Sequence, residues 1–260
     1  MISPLTPSER GLLAAGLAAL ALACLGPSVA QHPHYHDFAD QRAWTALPHG
    51  LNVLSNVPFA LAGIWGLVLL ALQGSQQTGA AWGGKLSKLF FGGLLVTALG
   101  SSAYHWRPDD AGVVLDRLGI CFAFAGLLGM AVAERVSQRA GHAMAALVML
   151  FGPVAVGYWY ASGNLLPWAV LQGGGMLLMV ALACRPASNP EHALPLAWIV
   201  GIYALAKLSE LGDTTVFALT HHWVSGHSLK HVVAAMAAWP VIAVMQNGRL
   251  NGSTTTKEAT

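Results

Sequence analysis

Residues 113–133 read VVLDRLGICFAFAGLLGMAVA. After Arg117 no charged residue follows until Glu134. One helical crossing of a bilayer needs about 20 mostly apolar residues, and this stretch supplies them. Yet it opens on an aspartate and an arginine side by side. Ionisable residues in such a segment are expensive and are read first as functional.

Six more stretches of the same kind follow residue 50: 51–72, 87–104, 143–160, 165–184, 194–212 and 227–246. The links between them carry Gly, Pro, Ser, Asn or charge, as in GSQQTGAAWGG (74–84) and RPASNPEHA (185–193). An eighth apolar run, 11–25, follows Arg10 and ends in PSVAQ (27–31), where Ser28 and Ala30 suit a signal peptidase. It reads equally as a cleaved signal or a retained anchor. The expected fold class is all-α, an integral membrane seven-helix bundle with an additional N-terminal hydrophobic segment. Residues 1–30 are that segment, 31–50 a polar outer stretch containing His and Asp, 51–247 the seven-span domain and 248–260 a disordered cytoplasmic tail.

Composition agrees. The 260 residues are 55% hydrophobic and only 9% charged, with mean hydropathy +0.56. A soluble domain carries roughly 25% charged residues, so this chain has too few charges to cover itself in water. The net charge of +2 is small and no basic run points to nucleic acid as a partner. The three cysteines, Cys24, Cys121 and Cys184, lie in apolar runs with no metal-type spacing, and are expected to be small buried hydrophobes.

Charge sets the expected orientation. Alternating the spans puts Arg10, Lys85, Lys88, Arg135, Arg139, Arg185, Arg249 and Lys257 on one side. The other side receives Arg42, Arg107, Arg117, Lys207 and Lys230. By the positive-inside rule the first side is cytoplasmic. The outer side then collects His32, His34, His36, His49, His105, His221, His222, His227 and His231, together with Asp37, Asp40, Asp109, Asp110, Asp116, Glu210 and Asp213.

Within this set, His227 and His231 are four apart and face the same way on a helix. Ser101 and His105 have the same relation. An i, i+4 histidine pair plus one histidine from another helix can make a three-nitrogen zinc site with a place left for water. Zinc lowers that water's pKa, Asp116 is the candidate to move its proton, and Ser101 is the candidate donor to a developing oxyanion. Ser102 is the neighbouring alternative. Lys207, Glu210 and Asp213, at i, i+3 and i+6, are candidates for bracing the site. Each feature also has a plainer reading: interhelical hydrogen bonds for His105, helix packing for Ser101 and Ser102, charge neutralisation of Arg117 or Lys230 for Asp116.

The spacing Ser-x3-His-x10-Asp in SSAYHWRPDDAGVVLD (101–116), with His-x3-His at 227–231, resembles the alkaline ceramidases. These belong to a wider superfamily of seven-helix membrane hydrolases that includes adiponectin-receptor-like and haemolysin III-like proteins. AKLSELGD (206–213) and SGHSLKH (225–231) look similar to bacterial ceramidase-like members. The resemblance implies that His105, His227 and His231 bind Zn2+, that Asp116 handles water, that Ser101 assists at the carbonyl, and that the substrate is ceramide or another acyl lipid. It also implies a bacterial inner membrane, with the site towards the periplasm and the C-terminus cytoplasmic. HDFADQRAW (36–44) would place Asp37 and Asp40 at Ca2+ positions, although Arg42 and His49 stand where the family has further oxygen ligands. Small-residue stretches, FGGLL (91–95) and GGGM (173–176), permit close helix packing or leave room for an acyl chain. Three rival classes remain at this level: a receptor or sensor with structural zinc, a haem-binding electron carrier, and a proton-coupled transporter. Oligomeric state is not readable from the sequence.

Overall fold

The computed structural model describes residues 3–73 and 83–247. The expected tail at 248–260 lies outside the described residues, as does most of the 74–84 link. The described chain is an all-α bundle, with no strand and only two isolated bridges, Ala30 with Asn164 and Trp44 with Leu47. Its helices are α1 (Pro7–Leu25), α2 (Gly50–Leu54), α3 (Val57–Gln73), α4 (Gly83–Trp106), α5 (Asp110–Arg135), α6 (Gln138–Ser162), α7 (Leu166–Ala183), α8 (Leu196–Leu211), α9 (Asp213–Leu219) and α10 (Gly226–Met236). A last helical stretch, α11, covers 239–247. Eight segments are long and apolar enough to cross a membrane: α1, α2 with α3, α4, α5, α6, α7, the 190–211 segment ending in α8, and α10 with α11.

The helices outrun the expected spans where polar caps extend them. Asp109 accepts from Gly112 N and starts α5, and Ser137 accepts from Ala140 N and starts α6. Gly163, at φ 74°, closes α6 in the left-handed region that glycine tolerates. Two segments are broken inside their apolar run. Between α2 and α3, Ser55 Oγ donates to Asn52 O and Asn56 Nδ2 donates to Asn52 O, so side chains replace the missing helical partners. The other break falls at residues 237–238, between α10 and α11.

α4 and α5 form the tightest pair. Gly93 and Gly100 on α4, and Gly119 and Gly126 on α5, are each seven residues apart. A Cβ on them would stand 2.2 Å from Ala123 N, 2.4 Å from Leu115 O, 2.6 Å from Thr97 Cα and 2.3 Å from Phe90 N. Those are backbone atoms, so any side chain there would have to separate the helices. In lipid, where apolar side chains gain little by burial, such backbone contact is the main attraction available. Gly92 beside the seam faces open space, as do Gly173 and Gly174, whereas Gly175 meets the Phe124 ring. Only part of each small-residue stretch is therefore a packing surface. Of the cysteines only Cys121 is buried, against the expectation for Cys24 and Cys184, because α1 and α7 turn those positions outward from the bundle.

The N-terminal segment packs as an eighth helix. Thr6 and Glu9 form a capping box at its start. The buried Glu9 carboxylate also accepts from Ser137 Oγ (2.6 Å), Arg139 Nε (2.6 Å) and Arg139 Nη2 (2.5 Å). Beyond its end, Val29 N donates to Asn164 Oδ1 (3.1 Å) and Val29 O accepts from Leu165 N (2.7 Å). Removing residues 1–30 would strip Arg139 and Asn164 of these partners. Intact-mass measurement of purified protein is expected to show the segment retained, and Glu9→Ala to lower the thermal midpoint. In the same assay Gly126→Leu is expected to cost roughly 1–3 kcal/mol or more by forcing α4 and α5 apart, while Gly92→Leu stays near wild type.

Candidate metal centre

One end of the bundle gathers the polar residues of four helices. His105 lies in the last turn of α4; His227 and His231 lie on the first turns of α10. The start of α10 is held in three ways. Ser225 caps it by accepting from Ser228 N (3.0 Å). Asp213, opening α9, accepts from His227 N (2.7 Å), one of the amides that a helix start leaves without an internal partner. Gly226 lets the turn approach α8 so closely that a Cβ would lie 2.1 Å from Ser209 O. Asp213 also accepts from Ala39 N (2.8 Å), tying the 31–50 stretch to the same point.

The three imidazoles are buried and form a near-equilateral triangle, with ring centroids 4.8, 4.9 and 4.9 Å apart. One nitrogen from each ring lies within 4.8 Å of the others. His105 Nε2 and His227 Nε2 are 3.3 Å apart. Two nitrogens on one tetrahedral zinc at its usual bond length are separated by about 3.3 Å, so this pair already stands at ligand spacing. His231 is prepared for the same task. Its Nδ1 meets Ser55 Oγ at 2.8 Å, and that hydroxyl spends its only proton on Asn52 O. Ser55 therefore accepts, Nδ1 carries the hydrogen, and Nε2 is left with a free lone pair. The donor set fits a divalent ion of the zinc type, with His105, His227 and His231 as its holders.

Phe38 lies over the cluster, its ring 4.8 Å from that of His105 and 4.4 Å from that of His227, and shields it from solvent. His49 Nδ1 donates to His105 O (3.0 Å) and fixes the end of α4. His49 does so with φ 47°, a left-handed conformation that costs a non-glycine residue roughly 1–2 kcal/mol.

Ser101 is buried one turn before His105, and its side chain interacts with the Asp116 carboxylate across the α4–α5 seam. Ser102 instead reaches towards Val53 O at 3.5 Å. The geometry thus selects Ser101 as the hydroxyl beside Asp116. Asp116 also interacts electrostatically with Arg117 and Lys230.

Lys207, Glu210 and Asp213 make no hydrogen bond to the rings; Glu210 and Lys207 reach His105 and His227, respectively, electrostatically. Asp213 meets the backbone of His227, while Glu210 accepts from Lys230 (2.8 Å) and from Lys207. The group that hydrogen-bonds His231 is Ser55, in LNVLSN (51–56), where residue order gives no hint of that partner. Asn52 in the same stretch ties the elements together: its Oδ1 accepts from Ser228 Oγ (2.7 Å) and its Nδ2 donates to Asp40 O (2.9 Å).

Asp37 and Asp40, the expected Ca2+ positions, are engaged by neighbouring side chains. Asp40 is bound two-fold by Arg42, at 2.8 and 2.8 Å, and Asp37 pairs with His34 at 2.7 Å. Among the described residues no set of three His, Cys, Asp or Glu ligands forms there. Burial pushes the Asp40 carboxyl up, but the hydrogen bonds and charge of Arg42 outweigh this and hold it below the usual carboxylate range. The pair's contribution to stability is present above the ordinary aspartate pKa. It is lost as pH falls through the depressed folded value.

No family model and no curated protein matches the chain.

Ser55→Ala should leave the fold intact and weaken binding of a divalent metal by about 10- to 100-fold, since the ring it orients becomes free to turn. Competition against a chelator of known affinity measures this.

Proposed function

We propose that the protein is a zinc-dependent membrane amidohydrolase that cleaves the N-acyl amide bond of ceramide or a related lipid. The observation that supports this most is the buried triangle of His105, His227 and His231 with a Ser101–Asp116 pair one helical turn away. Bound zinc would supply Lewis acidity, polarising an amide carbonyl and making water acidic near neutral pH. The chain supplies the rest. Asp116 accepts a proton from the attacking water at a carboxylate oxygen and returns it to the departing nitrogen. At rest the Ser101 hydroxyl is engaged by Asp116. An arriving carbonyl oxygen competes for that hydrogen as negative charge builds on it. Phe38 keeps bulk water off the rings, and the glycine seam fixes the distance between α4, carrying Ser101 and His105, and α5, carrying Asp116.

In this reading the imidazole end faces the outer side, as the Lys and Arg distribution implies, and the C-terminus is cytoplasmic. For a bacterial inner membrane, the site would be periplasmic. The motif resemblance to alkaline ceramidases favours an acyl amide over an ester, because it extends over Ser101, His105, Asp116, His227 and His231 together.

Purified protein is expected to carry one zinc and to hydrolyse a labelled acyl-amide lipid in a chelator-sensitive manner. Asp116→Ala should keep the metal and lose about a hundredfold or more in turnover. Metal without turnover would point to a receptor with structural zinc. Flux that survives metal removal would point to a transporter.

A further inference from the structure

α8 is apolar around most of its circumference, but Tyr203, Lys207 and Glu210 fall at i, i+4 and i+7 along one face. That polar stripe points at Lys230 on α10. Glu210 Oε1 accepts from Lys230 Nζ at 2.8 Å, and its other oxygen accepts from Lys207. Tyr203 interacts electrostatically with both Glu210 and Lys230. One carboxylate therefore serves two ammonium groups, and the cluster carries an excess positive charge. It also reaches from the site to the surface. The side chains of Lys230 and Glu210 are 19% and 24% exposed, whereas that of Lys207 is 47% exposed.

Lys230 stands between the two α10 imidazoles in sequence and interacts electrostatically with Asp116 and all three rings. A cation at that place opposes the binding of a divalent ion, and in a low-dielectric interior the repulsion is weakly screened. Neutralising Asp116 does not require it, because Arg117 also interacts with that carboxylate. Joining α8 to α10 does not require a charge either, since apolar residues of similar size would pack at least as well. A partly buried ammonium that shares its hydrogen-bonded carboxylate with a second lysine is instead suited to receive another anion.

We propose that Lys230 and Lys207 recognise an anionic group, a carboxylate or a phosphate, carried by the acyl-amide substrate beside its scissile bond. This rests on the hydrolase reading and narrows it: an N-acyl amino acid or a phosphorylated acyl amide is preferred over neutral ceramide. Lys230 is the inner contact and Lys207 the outer one. Glu210 holds both ammonium groups in position.

The test compares a fluorescent N-acylglycine, its methyl ester and an N-acylethanolamine phosphate. Binding is measured to full-length, chelator-treated protein in detergent, and turnover with zinc-loaded protein. At least one anionic probe is expected to bind about tenfold more tightly than the ester, the scale of one charge-assisted contact. The tighter of the two identifies carboxylate or phosphate. Lys207→Gln is expected to remove most of the preference and Lys207→Arg to keep it. Equal binding of the anionic probes and the ester overturns the proposal. So does a Lys207→Gln protein that loses thermal stability while its preference stays intact, because the cluster is then only a helix lock. Hydrolysis of the neutral and anionic amides at equal efficiency overturns this proposal and leaves the hydrolase reading standing. Anionic preference in binding with no amide hydrolysed overturns the hydrolase reading and leaves the recognition site standing.

Discussion

Three imidazole rings packed together in an apolar bundle impose a strict hydrogen-bonding constraint. Each ring brings two nitrogens, and a buried polar atom without a partner costs about 1–3 kcal/mol. The chain meets part of that demand and leaves part open. Ser55 takes His231 Nδ1, and the two Nε2 atoms of His105 and His227 are turned towards one another at 3.3 Å. His105 Nδ1 is buried without a hydrogen-bond partner. A divalent ion between the rings would take up the facing Nε2 lone pairs of His105 and His227, while His105 Nδ1 would keep its apolar surroundings.

The surrounding architecture follows from this constraint. The α2–α3 break exists where Ser55 must reach His231. The α8–α9 bend at Gly212 carries Asp213 to the His227 amide, and His49 accepts an unfavourable backbone angle to hold the carbonyl of His105. These departures from regular helix are concentrated at one end of the bundle. The opposite end holds Glu9 with Arg139 and Glu134 with Arg135, and its work is to fasten α1 and the 185–195 link. An imidazole cluster at one end and fastening ion pairs at the other agree with the way ionisable residues are confined in membrane proteins.

Much of this was legible in the amino-acid order, for identifiable reasons. Hydropathy is a one-dimensional property, so the eight apolar segments could be read directly and their ends missed only by the reach of caps such as Asp109 and Ser137. The i, i+4 relation of His227 and His231 is fixed by helix geometry, and the same rule put Ser101 under His105. Spacing could not decide between Ser101 and Ser102, because which of two neighbours faces α5 depends on how the glycine seam rotates α4. Ser55 was invisible as a partner because it lies 176 residues from His231 and meets it only through a helix break. Arg42 already stood out as a departure from an oxygen-ligand pattern, but its folding back onto Asp40, two positions before it, is a contact that spacing does not give. The polarity of the imidazole end was visible, while the sharing of Glu210 between two lysines required the relative rotation of α8 and α10.

The imidazoles come from two distant parts of the chain: His105 precedes His227 by 122 residues, and the latter belongs to the last apolar segment. During biosynthesis the α4–α5 hairpin can therefore be inserted and zipped along its glycines long before the other two rings leave the ribosome. An ion held by all three rings would have to await α10, because a chain truncated before it carries only one of the three imidazoles.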